Sequence, residues 1–496
     1  MKQFPITFCC ILLLGNIDPS AAQVTTETAY RSEAFGSVSS GNYAPFWTTS
    51  HSWGMVPHDP NNGFTRGAIS HRATIGKNMS WQTGIDLAAS TKHAYNTLWL
   101  QQIYAEASWK QWNVRLGSKE DYKSILDKSL SSGDFVLSNN ARPTPELNIS
   151  LKDFIPLPLA KGNIYVRGDF AIGKFLDAEY VEGKAQPAGK SYAKDFYSHH
   201  KSMFFRFGNL EKASKWSFTL GMEHYAMFGG MAIIEGKTEK YPAKFSDFMR
   251  TVFIAEEGGS YVDYKYKSGS HIGAYTLRLD HLSKNRDTWS IYWHHFIEDG
   301  SSAGPQSFKD MLLGIQYKSR KKQHLSGAVL EYVYTKNQSG PVHFNLVMDD
   351  EHKHLASNGN GMDDYYNNVQ YIQGPSYYGR SIGTPLFLSP EYNTDGNVNF
   401  KSNRIIALHA AAEGYLSNRM EYRLRATIGE TWGRYKVPYI DSRKGIASSA
   451  DLTYHCTKKG DLDLRFTLAF NSGKFFGDNS FGTGISIIKR GVIFQK

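Results

Sequence analysis

The chain of 496 residues carries 56 Lys and Arg against 46 Asp and Glu, a net charge of +10, with 14% aromatic residues and three cysteines. Beyond its first 22 residues no stretch reaches the ~18 uninterrupted apolar residues of a spanning helix, which excludes a helical membrane protein. The basic excess favours anionic partners such as acidic polysaccharide or lipid phosphate, and export, argued next, sets nucleic acid aside.

Met1-Lys2 is a short basic start, Phe4 to Leu14 an apolar run, and Ser20-Ala21-Ala22 before Gln23 a small-residue cleavage site, so residues 1–22 read as a signal peptide and 23–496 as one mature domain. Cys9 and Cys10 lack the small residues expected ahead of a lipid-modified cysteine and should leave with the signal. Cys456 is then alone, which excludes an internal disulfide. Lys2 and Asp18 leave together, so the net charge is unchanged.

Further along, Ile125, Leu126 and Leu130 could share the face of a short helix over Lys119 to Leu130. Asn139-Asn140-Ala141-Arg142-Pro143 ahead of Pro145 reads as a rigid turn, with Arg142 expected in a lumen salt bridge. Tyr180 to Lys201 is a polar excursion. Trp216, Phe218, Leu220 and Met222 then alternate with Ser217, Thr219, Gly221 and Glu223, the period that gives a strand one apolar and one polar face. Phe245, Phe248, Met249, Val252 and Phe253, after Pro242, have the spacing of an amphipathic helix that docks on the end of the fold or plugs its mouth.

Alternation returns in Tyr275, Leu277, Leu279 and in Trp289, Ile291, Trp293. Lys318, Arg320, Lys321 and Lys322 form a basic turn between strands, and Asn337 to Phe400 is a second long excursion. Tyr422, Leu424, Ala426, Ile428 and then Leu462, Leu464, Phe466, Leu468, Phe470 complete the series. Many runs hold about ten residues, enough for a tilted strand to cross hydrocarbon, and closure removes the edges lipid cannot satisfy. The fold class is therefore all-β: a closed antiparallel transmembrane barrel, exported to the outer membrane.

Catalytic and metal constellations are thin. Glu223-His224, His199-His200 and His294-His295 are neighbours on strands and point to opposite faces, and His224 shares the apolar row of Met222, where packing is its expected role. His352 with His354 lacks a third ligand. Asp349-Asp350-Glu351 and Asp363-Asp364 lack the spacing of a calcium loop and read as solvated carboxylates. The G-x-S-x-G elbow and the phosphate-cradling glycine loop are absent, so no enzyme, cofactor or metal is expected.

Four stretches carry a family resemblance. Phe35-Gly36 with Tyr43-Ala44-Pro45-Phe46-Trp47 and Trp53-Gly54 is one, and Leu130 to Asp134 through Ser138 to Pro145 is another. Gly221 to Gly230 is the third; Asp364 to Asn368 followed by Tyr377 to Leu386 is the fourth. In this order, over nearly the whole mature chain, they resemble the capsule assembly Wzi family of outer-membrane proteins. The resemblance implies a monomeric barrel of about eighteen strands with a few helices packed at the periplasmic end. It implies a lectin-like role, holding capsular polysaccharide on the cell surface and helping assemble the capsule, with contact to the export machinery. Outer-membrane barrels commonly finish on an aromatic residue, a role that falls to Phe494, two residues before Lys496.

A sugar needs flat rings for its C–H faces and amides or guanidinium groups for its rim. Tyr365, Tyr366, Asn367, Asn368, Tyr377, Tyr378 and Arg380 supply both, and Arg380 could pair with a uronate. The same residues could instead be scaffold, since such pairs also form girdles and loop-capping turns. A diffusion porin and an outer-membrane hydrolase remain the alternative functions.

Overall fold

Alternation along the chain becomes a sheet with two unlike faces, and the sheet closes on itself. The computed structural model describes residues 24–91, 97–160, 162–210, 214–254, 269–298, 302–341 and 362–496. The expected signal peptide, His352, His354 and the run Asp349 to Glu351 lie outside these residues.

The wall begins with β1 (Val24–Ser39), β2 (Asn62–Ile75), β3 (Met79–Ser90), β4 (Leu98–Trp109), β5 (Trp112–Ser118) and β6 (Glu146–Leu151). It continues through β7 (Ile164–Lys174), β8 (Tyr197–Phe207), β9 (Trp216–Phe228), β10 (Ser270–Leu282), β11 (Thr288–Ile297) and β12 (Met311–Lys318). It finishes with β13 (Gly327–Tyr334), β14 (Ile405–Ser417), β15 (Met420–Gly433), β16 (Pro438–His455), β17 (Leu462–Gly473) and β18 (Ser480–Gln495). Each strand pairs antiparallel with the next, a two-residue piece at Ile155–Pro156 patches β7, and β1 pairs with β18 from Glu27 opposite Gln495 to Ser39 opposite Gly482. This is a closed barrel of eighteen strands.

The expected parity holds. On β17, Leu464, Phe466, Leu468 and Phe470 are 39–45% exposed on the outside, while Asp463, Thr467, Ala469 and Asn471 are buried toward the lumen. Trp81, Trp109, Trp112, Trp216 and Trp289 all lie outward near one end of their strands, forming an aromatic belt of the kind that marks a membrane interface. That end carries both termini and the short turns, among them 76–78, 110–111 and 418–419. The basic residues Lys318 to Lys322 belong to one of these turns.

All long connections leave from the opposite, loop end. They include residues 40–61 with α1 (Phe46–Thr49), 119–145, 175–196 with α2 (Ala178–Ala185), 229–269 with α3 (Phe245–Phe253), and 335–404. The three α-helices among the described residues therefore sit at the loop end of the wall, opposite the short turns. Strand parity decides the matter: each helix follows a strand that runs away from the termini.

Neither expected dock of the amphipathic helix is used. α3 lies on the outer wall, where Phe248 packs against Phe170, His199 and Phe228 with ring centroids 6.2, 5.6 and 5.6 Å away. Beneath it, His224 and His271 share a hydrogen bond of 2.9 Å, and Lys201 donates to the carbonyl of Val252. Polar groups on an outer wall are costly in lipid, and α3 covers them.

No helix forms over Lys119 to Leu130. The Asp127 carboxylate accepts from the amides of Ser129 and Leu130 at 3.0 and 3.1 Å, and the Ser124 hydroxyl from that of Leu126 at 3.1 Å, local bonds that displace the helical ladder.

Candidate functional site

The lumen is filled from the loop end. Residues 119–145 descend through it, and the contacts track their depth: Gln316 on β12 donates to Asp127 at 3.0 Å, Ser129 donates to Glu413 on β14 at 3.1 Å, and Ser132 donates its amide and hydroxyl to Glu331 on β13 at 2.7 and 2.6 Å. Gln316 and Glu413 lie close to the short-turn ends of their strands, so this plug runs nearly the full height of the wall. Cavities of about 310 and 470 Å³ remain beside it, lined by charged wall residues such as Arg167, Asp169, Arg425 and Asp451.

Residues 362–404 cap the plug, and here the structure places the residues singled out for sugar contact. Tyr365 is fully buried and donates to Asp310 at 2.8 Å. Tyr366, equally buried among Phe296, Phe387 and Phe400, donates to the Phe135 carbonyl of the plug and accepts from the Thr384 amide. Asn367 bridges Asp364 and Phe400, and Asn368 accepts from the amides of Gln370 and Tyr371. Tyr377 packs edge-on to Phe175 at 5.2 Å. Arg380, buried, donates to Glu391 at 3.1 Å, to the Thr49 carbonyl at 3.0 Å and to the Val56 carbonyl, which ties the cap to the segment bearing α1.

Tyr378 is half-buried, with its hydroxyl on the Leu176 carbonyl at 2.8 Å. Arg142 lies over its ring at 4.9 Å and donates to the Leu100 carbonyl, contacts quite different from the expected lumen salt bridge. The loop carboxylates are engaged rather than solvated: Asp364 accepts from Arg434 Nε at 2.9 Å, and Asp363 from Ser339 at 2.5 Å.

Electrostatics in the cap follow its burial. Burial alone would push the Glu391 carboxyl up, but the Arg380 guanidinium and His58 hold it down at about 2. Burial pushes Asp177 up to about 7, opposed only in part by the Tyr378 amide and Arg142.

A surface missed by the sequence reading rises beside the cap. β16 pairs with β17 only from Gly445 onward, so the hairpin of β15 and β16 projects beyond the wall. Three aromatic rings on and beside it each carry a cation: Lys336 over Trp432 at 3.6 Å, Arg404 over Tyr435 at 4.4 Å and Arg443 over Tyr439 at 3.7 Å. Lys436 and Lys444 are exposed nearby, against the single exposed carboxylate of Asp441 on the hairpin. Interleaved Trp432, Arg434, Tyr435, Lys436, Tyr439 and Arg443 were the available signal.

Three buried groups also meet where plug and wall touch. Asp134 of the plug, Glu223 of β9 and His294 of β11 bring ligand-capable atoms within 4.8 Å of one another.

No protein-family model matches the sequence, and no curated protein does. Among solved structures, Escherichia coli Wzi, described as an outer-membrane protein involved in group 1 capsule assembly and a carbohydrate-binding β-barrel, superposes with a TM-score of 0.56 at 11% identity, covering 92% of this chain and 83% of that one. Pseudomonas aeruginosa OprD gives a TM-score of 0.45 at 8% identity over 94% of each chain. OccK7 of the same organism gives 0.43 at 9% identity, over 95% of this chain and 100% of that one. At these identities the likeness concerns the fold.

Proposed function

We propose that the protein is an outer-membrane, lectin-like barrel of the Wzi kind, which holds acidic polysaccharide at the cell surface and catalyses nothing. The observation that carries this reading is the pairing of a plugged, capped lumen with a projecting hairpin of aromatic rings and cations. An open pore would serve diffusion; a filled one leaves the rim as the working surface. Short turns face the periplasm in such barrels, so the loop end faces outward.

Tyr435, Tyr439 and Trp432 offer ring faces to sugar C–H groups, and Arg404, Arg443, Lys436 and Lys444 offer charge to uronate or phosphate groups along the polymer. Tyr378, beside Arg142, adds a ring at the cap. Tyr365, Tyr366, Asn367, Asn368, Tyr377 and Arg380 contribute indirectly in this reading, by holding the cap beneath that surface.

The test is equilibrium binding of the purified barrel in detergent to polygalacturonate and to neutral dextran. Binding to the acidic polymer, weakened by salt and lost in the combined variant Tyr435→Ala, Tyr439→Ala, Arg443→Ala, is the expected result. Equal, feeble binding of wild type and variant to both polymers would overturn the proposal.

A further inference from the structure

We infer that Asp134, Glu223 and His294 form a binding site for one divalent ion of the zinc class, which pins the plug to the barrel wall. The ligand atoms come from three separated segments and converge within 4.8 Å, all three residues being buried. Two carboxylates and one imidazole are a donor set suited to zinc, and a dication would neutralise two buried carboxylates.

Two further observations point the same way. Glu223 is 4% exposed, and one of its carboxylate oxygens has no hydrogen-bond partner. A buried, unmet acceptor is expensive, and a cation is a natural partner for it. His294 has its Nδ1 2.9 Å from the Thr276 hydroxyl, while the Phe135 amide donates to Nε2 at 3.4 Å. Nε2 lies 3.3 Å from Asp134 Oδ1, the separation that metal bonds of about 2.0–2.2 Å to each atom at a tetrahedral angle would span, and a metal there would take the Nε2 lone pair from the long Phe135 contact. The Thr276 hydroxyl is then the outer-shell partner that fixes the ring.

Asp134 is itself held by Ser124 at 2.5 Å and by the Val136 amide at 2.7 Å, so its carboxylate is oriented before any ion arrives. Because Asp134 belongs to the plug and the other two residues to the wall, bound metal joins elements far apart in sequence.

The experiment equilibrates the full mature barrel, first stripped with chelator, with zinc sulfate, dialyses it and counts metal by mass spectrometry. About one zinc per chain is expected. Glu223→Gln and His294→Gln should lose it, and Thr276→Val should bind about ten- to a hundredfold more weakly. Heat-modifiable migration on a gel reports that each variant barrel is closed. Zinc-free wild type would overturn the proposal, since a shared proton would then satisfy the cluster. So would closed Glu223→Gln and His294→Gln barrels that keep the metal with unchanged affinity, or a closed Thr276→Val barrel that binds as wild type does.

Discussion

Replacing Arg380 with methionine should open the cap while leaving the wall intact. The guanidinium is buried and donates to Glu391, to the Thr49 carbonyl and to the Val56 carbonyl, so its removal strands one carboxylate and two carbonyls. Breaking a buried ion pair by deleting one partner costs about 3–5 kcal/mol. At about 1.4 kcal/mol per factor of ten, the cap would shift toward its open form by roughly a hundredfold to several thousandfold. Adding Glu391→Gln removes the stranded charge but leaves the carbonyls unmet, so about half of the loss should return. The assay is amide hydrogen exchange over residues 362–404 of the barrel in detergent, which reads local opening. The linkage sign is fixed by Glu391: its carboxyl is held at about 2 in the folded chain against an ordinary 4.5, so its contribution is complete above 4.5 and fades as pH falls toward about 2. Unchanged protection in Arg380→Met, or equal protection in the single and double variants, would refute the reasoning.

In a planar bilayer the wild type should show no steady conductance, whereas Glu331→Ala, which removes the acceptor for Ser132 and Tyr292, should give intermittent steps. Phe466→Arg places a charge near the middle of the lipid-facing wall and should cost about 2–4 kcal/mol in vesicle unfolding experiments. Asp177 has its folded value raised to about 7, so the native chain holds the extra proton between 3.8 and 7 and stability falls as pH rises through that window. Asp177→Asn should therefore raise the melting temperature at pH 8.5, raise it by about half as much at pH 5.5, and leave it nearly unchanged at pH 3.

The wall was legible because a period of two needs no partner to be read: Leu464 to Phe470 and Trp216 to Met222 face outward as their spacing requires. The helix over Phe245 to Phe253 was legible for the same local reason, but its dock was not, because His199, His224 and Lys201 become one polar patch only after β8, β9 and β10 are in register. The plug escaped notice since side-chain caps at Ser124 and Asp127, invisible to apolar spacing, override the helix. Tyr365, Tyr366 and Arg380 drew attention for their chemistry; what covers them, Phe296 of β11 together with Phe400 and Glu391 of the same cap segment, follows no local spacing. Asp134, Glu223 and His294 are separated by 89 and 71 positions, and no local pattern connects them.

Surface glycan retention tests the account most directly. In a strain lacking this protein, complemented with wild type or with the Tyr435→Ala, Tyr439→Ala, Arg443→Ala variant, acidic polysaccharide is measured on washed cells and in the medium. Wild type should keep the polymer on the cells, and the variant, exported and folded, should release it. Equal retention by the deletion strain, the variant and the wild type would contradict a polysaccharide-holding role.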